Sequence, residues 1–254
     1  IDHRPKFADI GGWLRLRRQL RGAGFTRVYD LHTSDRSSFY RALFWPGPFP
    51  EWVGIARGAS HPHTNPHRDF MHTIERQTEQ LALAGLPPPP LPDLKGVAGP
   101  IGHFALPHPF ALLVPGGAAH RPGKRWPASH YQALARWLLA ERITPVLVGG
   151  PPEHALISGI MAATPGAIDL AQRTSLIELV GLSEHAVLAI GNDTGVMHIA
   201  AATGTPSIVL FSHESDPARC APRGDLVEIL RRPRLADLAP EEVIACAEAL
   251  LKRA

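Results

Sequence analysis

The sequence predicts an α/β protein built on doubly wound parallel sheets, and three kinds of observation support that class. Short unbroken apolar runs recur, among them Phe110–Val114 and Ser207–Phe211, as strands covered on both faces require. Between such runs lie segments with apolar residues at helical spacing, such as Leu134 and Leu138, or Val243, Ala247 and Leu250. Loops of Gly, Pro, Asp and Thr follow the strands directly, which is where sheets of this class bind ligands.

The most informative stretch runs from residue 185 to 211. Residues 186–190 are continuously apolar and read as a buried strand. Gly191-Asn192-Asp193-Thr194-Gly195 follows as a tight loop of residues that tolerate unusual backbone angles and cap helices. Residues 196–203 have the small and apolar side chains of a helix set close on a sheet, and Gly204 and Pro206 stop it. Such a loop lies at the carboxyl end of its strand, and the helix after it presents free N–H groups to anions. The residues therefore read as a loop that faces a phosphate or a nucleotide.

Composition narrows the function classes. A chain of 254 residues can form one large domain or two smaller ones with real cores. The formal charge of +3 is slight, and no run of Lys and Arg with interleaved aromatics suggests a nucleic-acid groove. A mildly basic face would ease approach to anionic phosphates, although a solvated surface explains it more simply. Only 2 cysteines occur, Cys220 and Cys246, which leaves no disulfide framework and fits a reducing cytoplasm. No apolar run approaches the ~20 residues needed to cross a bilayer, and no signal peptide is visible. The chain starts at Ile1 without a methionine and reads as if it begins partway through a protein.

Taken in order, residues 9–21 read as an amphipathic helix capped by Asp9, and residues 27–31 as a short strand. Residues 52–56 are a second strand. The loop at residues 60–67 is crowded with histidine and proline; His61, His63, His67 and His72 raise the question of zinc, but no cysteine joins them, and a polar loop is expected. Residues 68–83 form a helix with Phe70, Ile74 and Leu81 on its buried side. The run Pro87-Pro88-Pro89-Pro90 within residues 85–92 is a semi-rigid linker. It divides an amino-terminal domain, residues 1–99 including the linker, from a carboxyl-terminal domain, residues 100–254. In the second domain, strands at 110–114, 144–148 and 167–170 alternate with helices at 129–141, 154–163 and 175–182. A last helix spans residues 241–252.

Two elements carry a family resemblance. Asp193-Thr194-Gly195 with Met197-His198, then Ala200-Ala201 and Pro206, is one; Leu113-Val114-Pro115-Gly116-Gly117 followed by Lys124-Arg125-Trp126-Pro127 is the other. Together they resemble glycosyltransferase family 9, the heptosyltransferases, over residues 110–211 and more weakly before them. The resemblance implies the GT-B arrangement, two Rossmann-like domains facing each other across a cleft, with the amino-terminal one incomplete here. It implies inverting, metal-independent and cofactor-free transfer of heptose from ADP-heptose to a lipopolysaccharide core acceptor, by a cytoplasmic protein associated peripherally with the inner membrane. The family's opening strand and glycine-rich loop, which carries the aspartate proposed as general base, has no match and would lie before Ile1. Asp30 and Asp35 follow no such loop.

The resemblance also assigns roles, beside which the plain chemistry of each residue stands. Lys124 becomes the catalytic group that stabilises the leaving diphosphate, and Gly116 and Gly117 the loop beside it; a lone lysine is otherwise a surface residue. Asp193 either caps the helix or hydrogen-bonds a sugar hydroxyl. Thr194 and Gly195 offer backbone N–H groups, and Thr194 its hydroxyl, to phosphate. His198 contacts phosphate or ribose, or packs under the loop; Met197 lines the cleft or the core. Glu153 accepts hydrogen bonds from ribose hydroxyls, or favours a helix dipole. The chain departs from the family at Phe211-Ser-His-Glu-Ser-Asp-Pro217, where many members have tyrosine–glycine–proline–threonine, and at Ala118-Ala119-His120-Arg121, where some place threonines. Two rival readings are another nucleotide-sugar enzyme, such as a UDP-sugar transferase or epimerase, and a non-catalytic nucleotide-binding module.

Overall fold

The computed structural model describes residues 5–6, 8–117 and 121–253, arranged as two compact units, Ile1–Pro90 and Leu91–Ala254. In the first unit, α1 (Ile10–Gly22) starts where the Asp9 carboxylate accepts the Gly12 N–H at 2.7 Å. Its Arg17 and Arg21 guanidinium groups donate to the carbonyls of Leu43, Trp45 and Gly47, which fixes the helix against the turn Tyr40–Phe44. β1 (Arg27–Tyr29), α2 (Asp35–Phe39), β2 (Glu51–Gly54), β3 (His61–Pro62) and α3 (Thr73–Ala82) follow, and the strands pair in parallel in the order β1-β2-β3. Gln80 of α3 is fully buried and donates to the Asp30 and Val53 carbonyls at 2.8 and 3.2 Å, tying the helix to the ends of two strands.

Two expectations for this unit need correction. The helix expected from residue 68 begins at Thr73, because the His72 ring nitrogen accepts the Ile74 N–H at 3.2 Å and caps it there. Phe70 therefore precedes the helix and is 76% exposed instead of buried. The histidine loop also contains β3, whose two residues extend the sheet. Its histidines do structural work: His63 is buried with Nε2 3.5 Å from Glu79, whose two carboxylate oxygens accept from Asn65 at 2.9 and 3.0 Å. Among the described residues, no three His, Cys, Asp or Glu side chains gather as a metal ion would require.

In the second unit the chain runs β4 (Phe110–Val114), α4 (Ala128–Ala140), β5 (Thr144–Leu147), α5 (His154–Ala162), β6 (Ile168–Asp169), α6 (Leu176–His185), β7 (Leu188–Asn192), α7 (Gly195–Ala202), β8 (Ser207–Phe211), α8 (Pro217–Cys220), β9 (Val227–Arg231) and α9 (Pro240–Leu251). Six strands form one parallel sheet in the order β6-β5-β4-β7-β8-β9. The sheet grows outward from β4 to β6, then the chain crosses back and grows outward from β7 to β9. The direction reverses between β4 and β7, and a doubly wound sheet opens its ligand crevice at the carboxyl ends of that pair.

Side-chain alternation splits the core between the two faces. Ala111 and Leu113 join Tyr131, Leu134 and Leu138 of α4, Ile157 of α5 and Val243 and Ala247 of α9. Phe110, Leu112 and Val114 join Leu179 and Leu182 of α6 and Met197 and Ala200 of α7. β9 and α8 are absent from the pattern read in the sequence. β9 is an edge strand of mixed Val-Glu-Ile-Leu-Arg character and only half buried, so it lacks the apolar run of its neighbours. The division between units falls after Pro90, earlier than the expected border after residue 99. Leu94 and Gly99 donate backbone N–H bonds to Ala202 and Ile177 at 3.0 and 2.7 Å, which ties that segment to α6 and α7.

Burial pushes the His63 ring below the ordinary histidine range, outweighing the opposite pull of Glu79. The unfolded chain takes up a proton below about pH 6.5 that the folded ring resists, so stability is held at neutral pH and declines as the pH falls through that value toward the depressed one. Urea unfolding midpoints between about pH 7 and 5 check this: His63→Gln is expected to have a shallower pH slope than the parent.

Candidate functional site

Four loops meet at the carboxyl edge of the second sheet, and one side chain holds three segments of them together. Asn192, the last residue of β7, is fully buried. Its Nδ2 donates to the carbonyls of Pro115 and Gly116 after β4, at 2.9 Å each. Its Oδ1 accepts the Trp126 N–H at 3.1 Å and lies 3.2 Å from the Tyr131 hydroxyl. Burial pushes the Tyr131 phenol well up, so it stays protonated and shares its hydrogen between Asn192 and the Val114 carbonyl. Trp126 in turn donates from its indole to Leu238 at 2.9 Å and meets the Tyr131 ring edge-on at 4.9 Å. The lysine–arginine–tryptophan–proline element is thus anchored by its tryptophan, and Lys124 is carried by the turn Pro122–Lys124 just before it.

Lys124 Nζ lies 2.6 Å from Asp193 Oδ2, with the side chains 12% and 10% exposed. Of the two readings of Asp193, the helix cap is not the one formed: Thr194 is the capping residue of α7, in extended conformation, and makes no side-chain cap hydrogen bond. Asp193 holds the ammonium instead. The Thr194 hydroxyl is buried without a partner among the described residues, beside the first amides of α7, which lack intrahelical acceptors. Gly195 opens the helix and is exposed, and His198 is exposed one turn later. Of the cleft and the core, the two places expected for Met197, it takes the core: it is fully buried beneath β7 and supports the loop.

Gly116 and Gly117 are buried. A Cβ on Gly116 would stand 2.7 Å from Glu153 Cγ, so only glycine lets the Glu153 side chain lie there. Glu153 Oε2 accepts the Gly150 N–H at 2.9 Å within the turn Pro151–Glu153 after β5. Gly117 gives its carbonyl to Arg125 at 2.9 Å. Residues 118–120 of the Ala118-Ala119-His120-Arg121 departure lie outside the described residues. The site therefore brings Gly116, Gly117, Lys124, Glu153, Asp193, Thr194 and Gly195 to one rim, with His198 on the helix behind it. Asn192 and Tyr131 were not singled out in the sequence. An asparagine two residues after a buried apolar run was the available signal, since Asn is disfavoured in central strands.

Asn192→Ala leaves the Trp126 amide and two loop carbonyls without their partner. It is expected to destabilise the chain by about 3 kcal/mol, read from urea unfolding. Asn192→Asp, which turns a donor toward two carbonyls into a charge, is expected to be at least as damaging.

Comparison with known proteins accords with this geometry. The family model for glycosyltransferase family 9 (heptosyltransferase) matches residues 13–248. Lipooligosaccharide heptosyltransferase 2 of Haemophilus influenzae is 35% identical over 120 residues, 45% of this chain and 34% of that protein. Lipopolysaccharide heptosyltransferase 2 of Escherichia coli is 36% identical over 104 residues, 39% of this chain and 30% of that protein. The matched stretch is thus about a third of the length of these curated relatives. The solved ADP-heptose LPS heptosyltransferase II of E. coli superimposes with a TM-score of 0.79 at 26% identity, over 96% of this chain and 82% of that one. The E. coli heptosyltransferase WaaC, solved with ADP, shares the fold at a TM-score of 0.73 and 21% identity, over 96% of this chain and 79% of that one. Parallel sheets of the Rossmann-like GT-B class, the loops at the β4–β7 reversal and the family match agree: the chain belongs to glycosyltransferase family 9, the heptosyltransferase family.

Proposed function

We propose that this chain binds the diphosphate of ADP-heptose at the β4–β7 rim and takes part in inverting, metal-independent transfer of the heptose to a lipopolysaccharide core acceptor. The observation that supports this most directly is Lys124, held 2.6 Å from Asp193 beside the uncapped start of α7. An ammonium has three donors, so one can stay on Asp193 while the others meet phosphate oxygens. The first amides of α7 and the Thr194 hydroxyl add neutral donors without adding charge. In the transfer, the acceptor oxygen forms a bond to the anomeric carbon as the bond from that carbon to the diphosphate breaks on the opposite face. Negative charge builds on the departing phosphate, where a preorganised ammonium and amides lower the barrier. The acceptor hydroxyl gives its proton to a base on the acceptor side.

The solved E. coli relative at 26% identity is an ADP-heptose heptosyltransferase and another solved neighbour holds ADP, which favours an adenine nucleotide over other nucleoside diphosphates. We place the reaction at the cytoplasmic face of the inner membrane through peripheral association. No helix among the described residues is long and apolar enough to cross a membrane.

Calorimetry with ADP, UDP and GDP tests the assignment. ADP is expected to bind tightest, and Lys124→Ala to weaken it about tenfold or more through loss of a charged hydrogen bond. Tighter binding of UDP, or unchanged ADP binding by the variant, would remove the reading.

A further inference from the structure

The loop after β8 holds a carboxylate oxygen that no described residue pairs with. Glu214 Oε2 is shut off from solvent and has no hydrogen-bond partner among the described residues, and the Ser215 hydroxyl is in the same condition. Such a group is costly to keep unless something else supplies the missing partner. Its position is nevertheless well determined. Ser212 Oγ accepts the Glu214 N–H at 3.2 Å, and Arg121 reaches the Glu214 carbonyl at 3.4 Å. Gly123 leaves room for the carboxylate, since a Cβ there would stand 2.6 Å from Glu214 Oε1. Gly123 directly precedes Lys124, so this carboxylate borders the turn that delivers the ammonium to Asp193.

Strand order gives the rim a direction. The loops after β5, β4, β7 and β8 follow one another across the sheet at steps of about 4.8 Å. Glu153 stands at one end, the Lys124–Asp193 pair in the middle, and Glu214 with Ser215 at the other end. A diphosphate carries two substituents, and the rim offers a carboxylate able to accept hydroxyl protons on either side of the central pair. We infer that Glu214, with Ser215, reads the hydroxyls of the transferred sugar, while the nucleoside lies toward Glu153. This deepens the nucleotide-sugar assignment above and rests on it. It also gives a purpose to the Ser-His-Glu-Ser segment in which this chain departs from many family members.

The test compares ADP with ADP-heptose as calorimetric ligands of the parent chain and of Glu214→Gln, Glu214→Ala and Ser215→Ala. ADP is expected to bind all four alike. ADP-heptose is expected to bind the Glu214 variants about tenfold or more weakly, and Ser215→Ala a few fold more weakly. The unfolding temperature of unliganded Glu214→Gln is expected to equal or exceed the parent's, whereas a merely structural carboxylate would lower it. Unchanged ADP-heptose affinity in all variants, or an equal loss for ADP and ADP-heptose, overturns the inference while leaving the nucleotide site intact. A parent chain that binds neither ligand overturns both.

Discussion

The carboxamide of Asn192 is the constraint on which the rest of the site depends. It sits at the end of β7, where the winding of the sheet reverses, and its nitrogen and oxygen each serve two neighbours. Those neighbours belong to segments 61 to 77 residues away in sequence. Inside a fully buried pocket an unpaired amide is expensive, so complete pairing selects one arrangement of these loops over the alternatives. The chain after β4 is thereby fixed against the start of α7 without help from a ligand. Preorganised donors are what a reaction that builds charge on a departing phosphate needs, because no reorganisation is then required as the charge develops.

Around that anchor the charges are arranged with economy. Lys124 and Asp193 are each nearly buried, and each would be costly alone; together they offset one another's charge. The carboxylate also aims the ammonium at the helix end. The uncapped start of α7 is the matching feature: a side-chain cap on Thr194 would consume the amides that an anion could use. Met197 and Trp126, both buried, hold this arrangement from below and from the side, although both lie inside the motifs that carry the family resemblance. A motif therefore mixes residues that touch a ligand with residues that position them.

Much of this was legible in the chain. The apolar runs at Phe110–Val114 and Ser207–Phe211 are strands with those same bounds, and Asp9 caps the helix where its side chain suggested. These signals are local, since a strand buried on both faces has few other ways to read. Illegible were the elements whose character depends on partners. β9 is half exposed and becomes a strand only by pairing with β8. The His72 cap replaces a helix turn that periodicity alone would have continued to residue 68. Gly191 and Asn192, read as loop, remain in the ladder because Leu210 and Val209 lie across from them.

Local chemistry by itself determined the α/β class, the two clusters of loop residues and the chemical types gathered in them: an ammonium, a carboxylate, small residues and a helix start. Spacing along the chain carries that information because strand and helix periods are short-range properties. Which of those residues face one another was decided only by the tertiary structure. Lys124 and Asp193 are 69 residues apart and meet because β4 and β7 are neighbours at the reversal of the sheet. The same adjacency turned Asp193 from a cap into a counterion and sent Met197 into the core. Long-range pairing of this kind leaves no trace in a local window, since it depends on strand order and not on the residues between.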